Sequence, residues 1–330
     1  MNTKNKVRWA ILGAGRIANA FTKDFPLMHN AELVAVASGD RERAKNFAAQ
    51  YHIPKALSYD ELYSAEDIDA VYISTTHNFH FEQALTCLQH NKAVLCEKPI
   101  TVNDIEFKKL MAISKTKNVF LMEAMWTYFL PAIQKARQWL DEGRIGKLKV
   151  IQADFAVSLE KNMEGRIYNP KLAGGSLLDL GIYPIAMAYY FTNRVPEKIA
   201  ASAAMTETVV DESLGMIFQY GDVTATLFSS IITRMTNKLR IFGEEGYIEI
   251  PEFWRSHGCK LYDKDYNLID SFDDNREVHG FIFEMQHAND MIMSGNFESP
   301  VMSHARSNDI QETMMEIRKQ IGLKYPFENF

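Results

Sequence analysis

Two periodicities divide the chain. Up to about residue 124, short runs that are apolar throughout alternate with stretches whose apolar residues recur every three or four positions. Runs at 7–12, 33–37, 70–74, 93–96 and 119–124 lack polar alternation, as strands buried on both faces of a parallel sheet do. Between them Ile17, Phe21 and Phe25, then Ala44, Phe47, Ala48 and Tyr51, then Phe81, Ala84, Leu85 and Leu88 repeat at helical spacing. Alternating strand and helix predicts a doubly wound α/β domain over 1–124. From Lys147 the period falls to two. Ile151, Ala153, Phe155 and Val157 alternate with Gln152 and Asp154, and runs at 214–220 and 223–231 flank the two-residue turn Gly221-Asp222. A second turn, Gly243 to Gly246, precedes another short strand. The second domain, 125–330, therefore reads as α+β with a large, mostly antiparallel open sheet, one early helix ending near Gly143, and closing helices near 281–294 and 307–322. The closing helices are expected to cover one face of that sheet. The run 223–232 is apolar enough to predict a second subunit on the other.

Between the first strands of that sheet, residues 173–184 form a helical segment apolar nearly all round, with Asp179 and Tyr183 as its polar exceptions. Four residues apart, they share one helical face, and a buried carboxylate needs a partner or a purpose. Pro184 should kink or restart the helix.

With 330 residues, the chain exceeds what one core usually supports. A formal net charge of -6 without a basic block at either end argues against nucleic acid or an anionic membrane as partner. Cys87, Cys96 and Cys259 lack metal-like spacing and suit a reducing cytoplasm, and His77 and His80 lack the spacing of zinc ligands on a helix. No metal is expected. The polar start is too short for a signal peptide, and no apolar run of about 18 residues stands out as a membrane span, so a cytoplasmic location is expected.

The chemistry begins at Gly13-Ala14-Gly15-Arg16-Ile17-Ala18, which follows the first strand and opens the first helix. In that setting Gly13 permits the turn, Gly15 lets backbone approach a diphosphate, and Ala18 keeps helix and sheet close. The diphosphate would sit on the helix N-terminus. At the end of the second strand an NAD enzyme places an acid on the ribose hydroxyls; here Ser38 holds that position, with Arg41, Arg43 and Arg16 nearby. NADP is the expected cofactor. Asp40 is the residue that would favour NAD if the strand ended two residues later. Thr75, Thr76 and Asn78, after the next strand, are candidates to line the nicotinamide side. The strand at 93–96 stops at Glu97-Lys98-Pro99, where the proline cannot continue the ladder and restricts Lys98 to extended backbone. Lys98 thus projects at a carboxyl strand end, where open parallel sheets bind ligands. Thr101 and Asp104 are expected to cap the next helix.

From the glycine turn through Glu97-Lys98-Pro99 to the segments 298–301 and 317–322, the chain resembles the glucose-fructose oxidoreductase, inositol dehydrogenase and MocA family. Glu123 to Thr127 and Gly174 to Tyr183 are similar to its branch of trans-1,2-dihydrobenzene-1,2-diol dehydrogenases and NADP-dependent D-xylose dehydrogenases. Tyr128 departs from that branch, which carries arginine there. The resemblance implies a Rossmann domain followed by an open-sheet domain through which subunits often pair. It implies hydride transfer between a secondary alcohol, in a trans-dihydrodiol, aldose or cyclic polyol, and a nicotinamide, with Lys98 and Tyr183 as the proton-handling pair and Asp179 orienting them. Ile17, His80, Glu97, Lys98 and Trp126 join the residues above as candidate cofactor contacts. Trp126, Phe155, Tyr183, Trp254 and Phe281 are candidates for the substrate pocket. A nucleotide-binding regulator without chemistry and an NAD-dependent glycosidase share the fold. Retention of Lys98 and Tyr183 favours the dehydrogenase over the former, and Ser38 favours it over the latter.

Overall fold

The computed structural model describes residues 6–328 and divides into two compact units. The first comprises residues up to Trp126 together with Val278–Asn308. Its chain runs β1 (Val7–Leu12), α1 (Arg16–Asp24), β2 (Ala31–Ala37), α2 (Arg41–Tyr51), β3 (Lys55–Leu57), α3 (Tyr59–Ser64), β4 (Ala70–Ile73), α4 (His77–Gln89), β5 (Ala93–Glu97), α5 (Asp104–Lys117) and β6 (Leu121–Ala124). The strands form one parallel sheet in the order β3-β2-β1-β4-β5-β6. Strand order reverses between β1 and β4, and the carboxyl ends there form the crevice in which such sheets take ligands. All residues of β4, β5 and β6 are buried, which accounts for their unbroken apolar runs. Asn103, not Thr101 or Asp104, caps α5: its side chain accepts from the Glu106 N–H at 2.9 Å. Asp104 is the first helical residue and pairs with Lys108 at 2.7 Å, while the Thr101 hydroxyl donates to the Asn103 carbonyl.

The second unit contains Thr127–Glu277 and Asp309–Phe330. A helix α6 (Pro131–Asp141) leads to β7 (Leu148–Ala156), and α7 (Ile182–Thr192) to β8 (Lys198–Met205), β9 (Asp211–Tyr220), β10 (Val223–Ser230), β11 (Lys238–Gly243), β12 (Gly246–Pro251), β13 (Gly258–Asp263) and β14 (Leu268–Asp273). These eight strands form a sheet in the order β14-β13-β12-β11-β7-β10-β9-β8. It is antiparallel except where β7 lies parallel to β10. α6 packs on β12, β13 and β14, and α7 on β7 and β10. The opposite face leaves Val150, Ile217 and Leu268 exposed. The strand at 223–230 is less continuous than its sequence suggests, because Thr224, Thr226 and Phe228 alternate with buried neighbours.

Two further features depart from the sequence reading. Helix α8 (Phe281–Met293) belongs to the first unit instead of closing the second sheet. Its Asn289 accepts from the Trp9 indole of β1 at 3.0 Å, and Asp24 at the end of α1 accepts from the Gly280 and Phe281 N–H groups that open it. The first unit thus takes in a segment, Val278–Asn308, that returns to it from late in the chain. The last helix, α9 (His304–Ile321), lies in the first unit as far as Asn308 and in the second beyond it. Within the second unit, its Gln320 bonds both ways with the β8 backbone, at Ala201 and Ile199. The other departure is the 23-residue stretch Pro170–Thr192, which is long and apolar enough to pass as a membrane span. Most of it is buried inside the second unit, where the apolar composition serves a core.

Candidate active site

In the first unit the glycine turn has the geometry its sequence implies. Gly13 takes φ +107°, and a Cβ there would meet Ser74 and Thr75 backbone at 3.0 Å, so both conformation and space demand glycine. Helix α1 then starts at Gly15 with no side-chain cap and no acid in its first turn. By contrast α2, α3 and α5 are capped by Asp40, Ser58 and Asn103. The N–H groups that open α1, at Arg16 and Ile17, are thus left for an anion, and the site fits the diphosphate of a dinucleotide.

At the end of β2, Ser38 is buried, and its hydroxyl oxygen accepts from the Asp40 N–H at 3.2 Å. The Asp40 carboxylate is engaged as the α2 cap, accepting from Glu42 and Arg43 N–H groups at 3.0 and 3.2 Å. Arg41 lies against Glu61 at 3.2 Å, and Arg16 and Arg43 are exposed. After β4, the Thr75 hydroxyl donates to Gln83 and the Thr76 hydroxyl to Asn78. His80 is fully buried, with its ring nitrogens 2.8 Å from the Pro99 carbonyl and 3.2 Å from that of Thr75. It thereby ties the β4 end to the β5 end.

At the β5 end Glu97 is buried and Lys98 half-buried. Glu123 on β6 braces the turn that follows, accepting from the Ile100 N–H at 3.0 Å and from the Ser307 hydroxyl at 2.8 Å. Burial pushes its carboxyl up to about 7, although these donors and the Lys98 charge pull the other way. Trp126 stacks on Phe281, ring centres 4.5 Å apart and planes 9° from parallel.

In the second unit the segment before α7 is a π-helical turn, Leu177–Gly181, and α7 restarts at Ile182 with Pro184 in its first turn. Asp179 lies within that turn, and Tyr183 follows it in the first turn of α7. Asp179 pairs with Arg166 at 3.0 Å. Tyr183 is buried edge-on to Phe155, ring centres 5.3 Å apart, and Phe155 stacks on Trp254 at 4.2 Å. The candidates thus gather as two groups: the cofactor residues with Trp126 and Phe281 in the first unit, and Phe155, Tyr183, Asp179 and Trp254 in the second. Upstream of the π turn, Gly175 takes φ +111°, and a Cβ there would lie 2.2 Å from the buried Asp211 carboxylate. Asp211 accepts from the Leu177 N–H at 2.6 Å and so pins the start of the segment that carries Asp179 and Tyr183.

Comparison with known proteins agrees with this geometry. Residues 7–125 match the family model described as the GFO/IDH/MocA oxidoreductase family, NAD-binding Rossmann fold, and residues 133–249 match its C-terminal domain. The trans-1,2-dihydrobenzene-1,2-diol dehydrogenase of Xenopus tropicalis is 36% identical over 97% of this chain and 99% of its own length. The chain belongs to the Gfo/Idh/MocA oxidoreductase family. The human protein of the same name is 34% identical over 97% of this chain and 98% of its own. Among solved structures, an aldose-aldose oxidoreductase from Caulobacter crescentus superposes with a TM-score of 0.87 at 22% identity, covering 96% of this chain and 97% of that one. As a Gfo/Idh/MocA member, the protein is an NAD(P)-dependent oxidoreductase. Its Tyr128, where the resembling branch has arginine, is a fully buried core residue whose hydroxyl donates to the Ala186 carbonyl at 2.7 Å.

Sequence reading did not single out the buried Tyr72, Asp211 and Glu284, and undervalued Glu123. Tyr72 and Glu123 each stand alone as a polar side chain in a buried apolar strand, and that isolation is the signal by which they could have been found; Asp211, followed by Glu212 and Ser213, gives no such signal.

Proposed function

We propose that this oxidoreductase is an NADP-dependent dehydrogenase of secondary alcohols, acting on a trans-dihydrodiol or on an aldose or cyclic polyol. The whole-chain likeness to dihydrodiol dehydrogenases carries this reading. For NADP the support is local: Ser38 stands at the β2 end without an acid in its place, and Asp40 already serves as a helix cap. The bound nicotinamide supplies the hydride chemistry. Lys98 and Tyr183 are assigned the proton at the substrate oxygen. An ammonium and a phenol each hold a proton near neutral pH and can give it to an alkoxide; in the oxidising direction the base is the tyrosine in its phenolate form, which a lysine cation favours and which accepts the proton a hydroxyl sheds. Such positioned transfer contributes roughly 10²- to 10⁴-fold in rate. Phe155 and Trp254 offer aromatic faces suited to an unsaturated diol or the apolar face of a sugar ring. The apolar positions exposed on the sheet, Ile217 and Val150 among them, are assigned to pairing with a second copy. A cytoplasmic location accords with three buried, unpaired cysteines.

The test is a screen of trans-diols and aldoses with NADP and NAD, followed by absorbance of the reduced nicotinamide. Turnover of at least one class with NADP preferred is expected; failure of both classes, or a preference for NAD, overturns the corresponding half of the reading.

A further inference from the structure

Three buried carboxyls, those of Glu97, Glu123 and Glu284, lie in the same unit as Lys98, and Glu97 acts electrostatically on both of the others. Glu123 is held by the Ile100 N–H and Ser307 hydroxyl. The other two are treated differently by their surroundings. Tyr72, inside β4, is fully buried with its ring stacked flat on Phe21 of α1, 3.7 Å between centres and 7° between planes. That stacking aims its hydroxyl along the sheet to the next strand, where it donates to Glu97 Oε1. Glu284, on α8, is fully buried, and neither of its carboxyl oxygens has a hydrogen-bond partner among the described residues. Its electrostatic neighbours include Glu97, of like charge, and the Tyr72 phenol.

Two neighbouring buried carboxyls do not both ionise. The one with a donor keeps the charge, and the one without keeps the proton. Burial and then Glu97 push the Glu284 carboxyl well above the usual carboxylate range. Burial and Glu97 likewise hold Tyr72 as a phenol, so its donor is permanent. Cys96, the remaining titratable neighbour on β5, is kept as a thiol by burial.

We propose that Tyr72 is a positioning residue that keeps Glu97 ionised beside Lys98, while Glu284 stays protonated and leaves that carboxylate as the charged member of the pair. The proposal deepens the reading of Glu97 and Lys98 as cofactor contacts and rests on it. Neither Tyr72 nor Glu284 need touch cofactor or substrate; they set the charge of the strand end that does.

The experiment uses the full-length protein. Binding of NADP, and separately of NAD, is titrated by tryptophan fluorescence from pH 5 to 9 in the unmodified protein, Tyr72→Phe and Glu97→Gln. Tyr72→Phe keeps the stack on Phe21 and removes the hydroxyl. It should move the acid limb of cofactor binding upward by about one to two pH units, the shift expected on losing a hydrogen bond to a charged acceptor. Glu97→Gln should abolish the limb. An unmoved limb in Tyr72→Phe, even with a lowered melting temperature, overturns the positioning role. Infrared difference spectra between the unmodified protein and Glu284→Gln at pH 8 need no cofactor. A protonated-carboxyl carbonyl band assigned to Glu284 is expected, and a carboxylate band instead overturns its neutral role. If NADP fails to bind while NAD gives the shifted limb, the cofactor preference falls and the positioning role stands.

Discussion

Asp211 makes a stability prediction whose sign follows from burial alone. Its carboxylate lies beneath Gly175 and accepts from the Leu177 N–H at 2.6 Å. Burial pushes its carboxyl up to about 7 from an ordinary 3.8, even though the Leu177 N–H, its own N–H, the Arg318 charge and the Ser176 N–H favour the anion. Between about pH 4 and 7 the folded protein therefore binds more protons at this site than the unfolded chain, and stability falls as pH rises. Each unit is worth about 1.4 kcal/mol, so the two units from pH 5 to the native value cost about 3 kcal/mol. Asp211→Asn keeps the shape and the acceptor for Leu177 but cannot ionise. At pH 5, where the native carboxyl is protonated, variant and parent should differ little in acceptor geometry. By pH 8 the variant should have gained about 3 kcal/mol relative to the parent. Urea unfolding at both pH values, with equal slopes required, measures the change. Glu123 titrates in both proteins and cancels. Parallel stability-pH curves would refute the reasoning, and a variant that loses ground at pH 8 would show that the ionised carboxylate is itself the stabilising cap of the Leu177 turn.

Ser38→Asp should weaken NADP binding by tenfold or more and strengthen NAD binding, since a carboxylate repels the 2'-phosphate; tighter binding of NAD by the unmodified protein removes the premise. Tyr183→Phe should lower turnover by two or more orders of magnitude with NADP affinity nearly intact, and Lys98→Met should impair both. In steady-state kinetics the double variant should be little worse than the poorer single one, because groups that act as a unit are not additive, and fully additive losses would separate them. Light scattering at micromolar concentration should give twice the 37.8 kDa chain mass, and a monomer mass would leave the apolar sheet face without its assigned partner.

What the sequence alone determined is what local spacing can carry. The alternation of apolar runs and helical repeats named the parallel sheet, because strands buried on both faces have no reason to alternate. Gly13 and the stop at Glu97-Lys98-Pro99 were legible because a turn of positive φ and a proline each act on their immediate neighbours. The Gly221-Asp222 hairpin was legible for the same reason. Other features needed the folded chain. Asp104 and Asn103 are both competent caps, and only the backbone path decides which stands at the helix boundary. The π turn ahead of α7 begins where a carboxylate from a distant strand holds the Leu177 N–H, a contact no local spacing announces. α8 carries no sequence mark of the sheet it packs on, and its return is secured by Asp24 and Trp9 from the opposite end of the chain. Tyr72, Glu97 and Glu284 look unrelated in the sequence. Their charges became coupled only when the sheet and α8 excluded water from around them, since ionisation of one buried group depends on which donors and like charges the fold brings beside it.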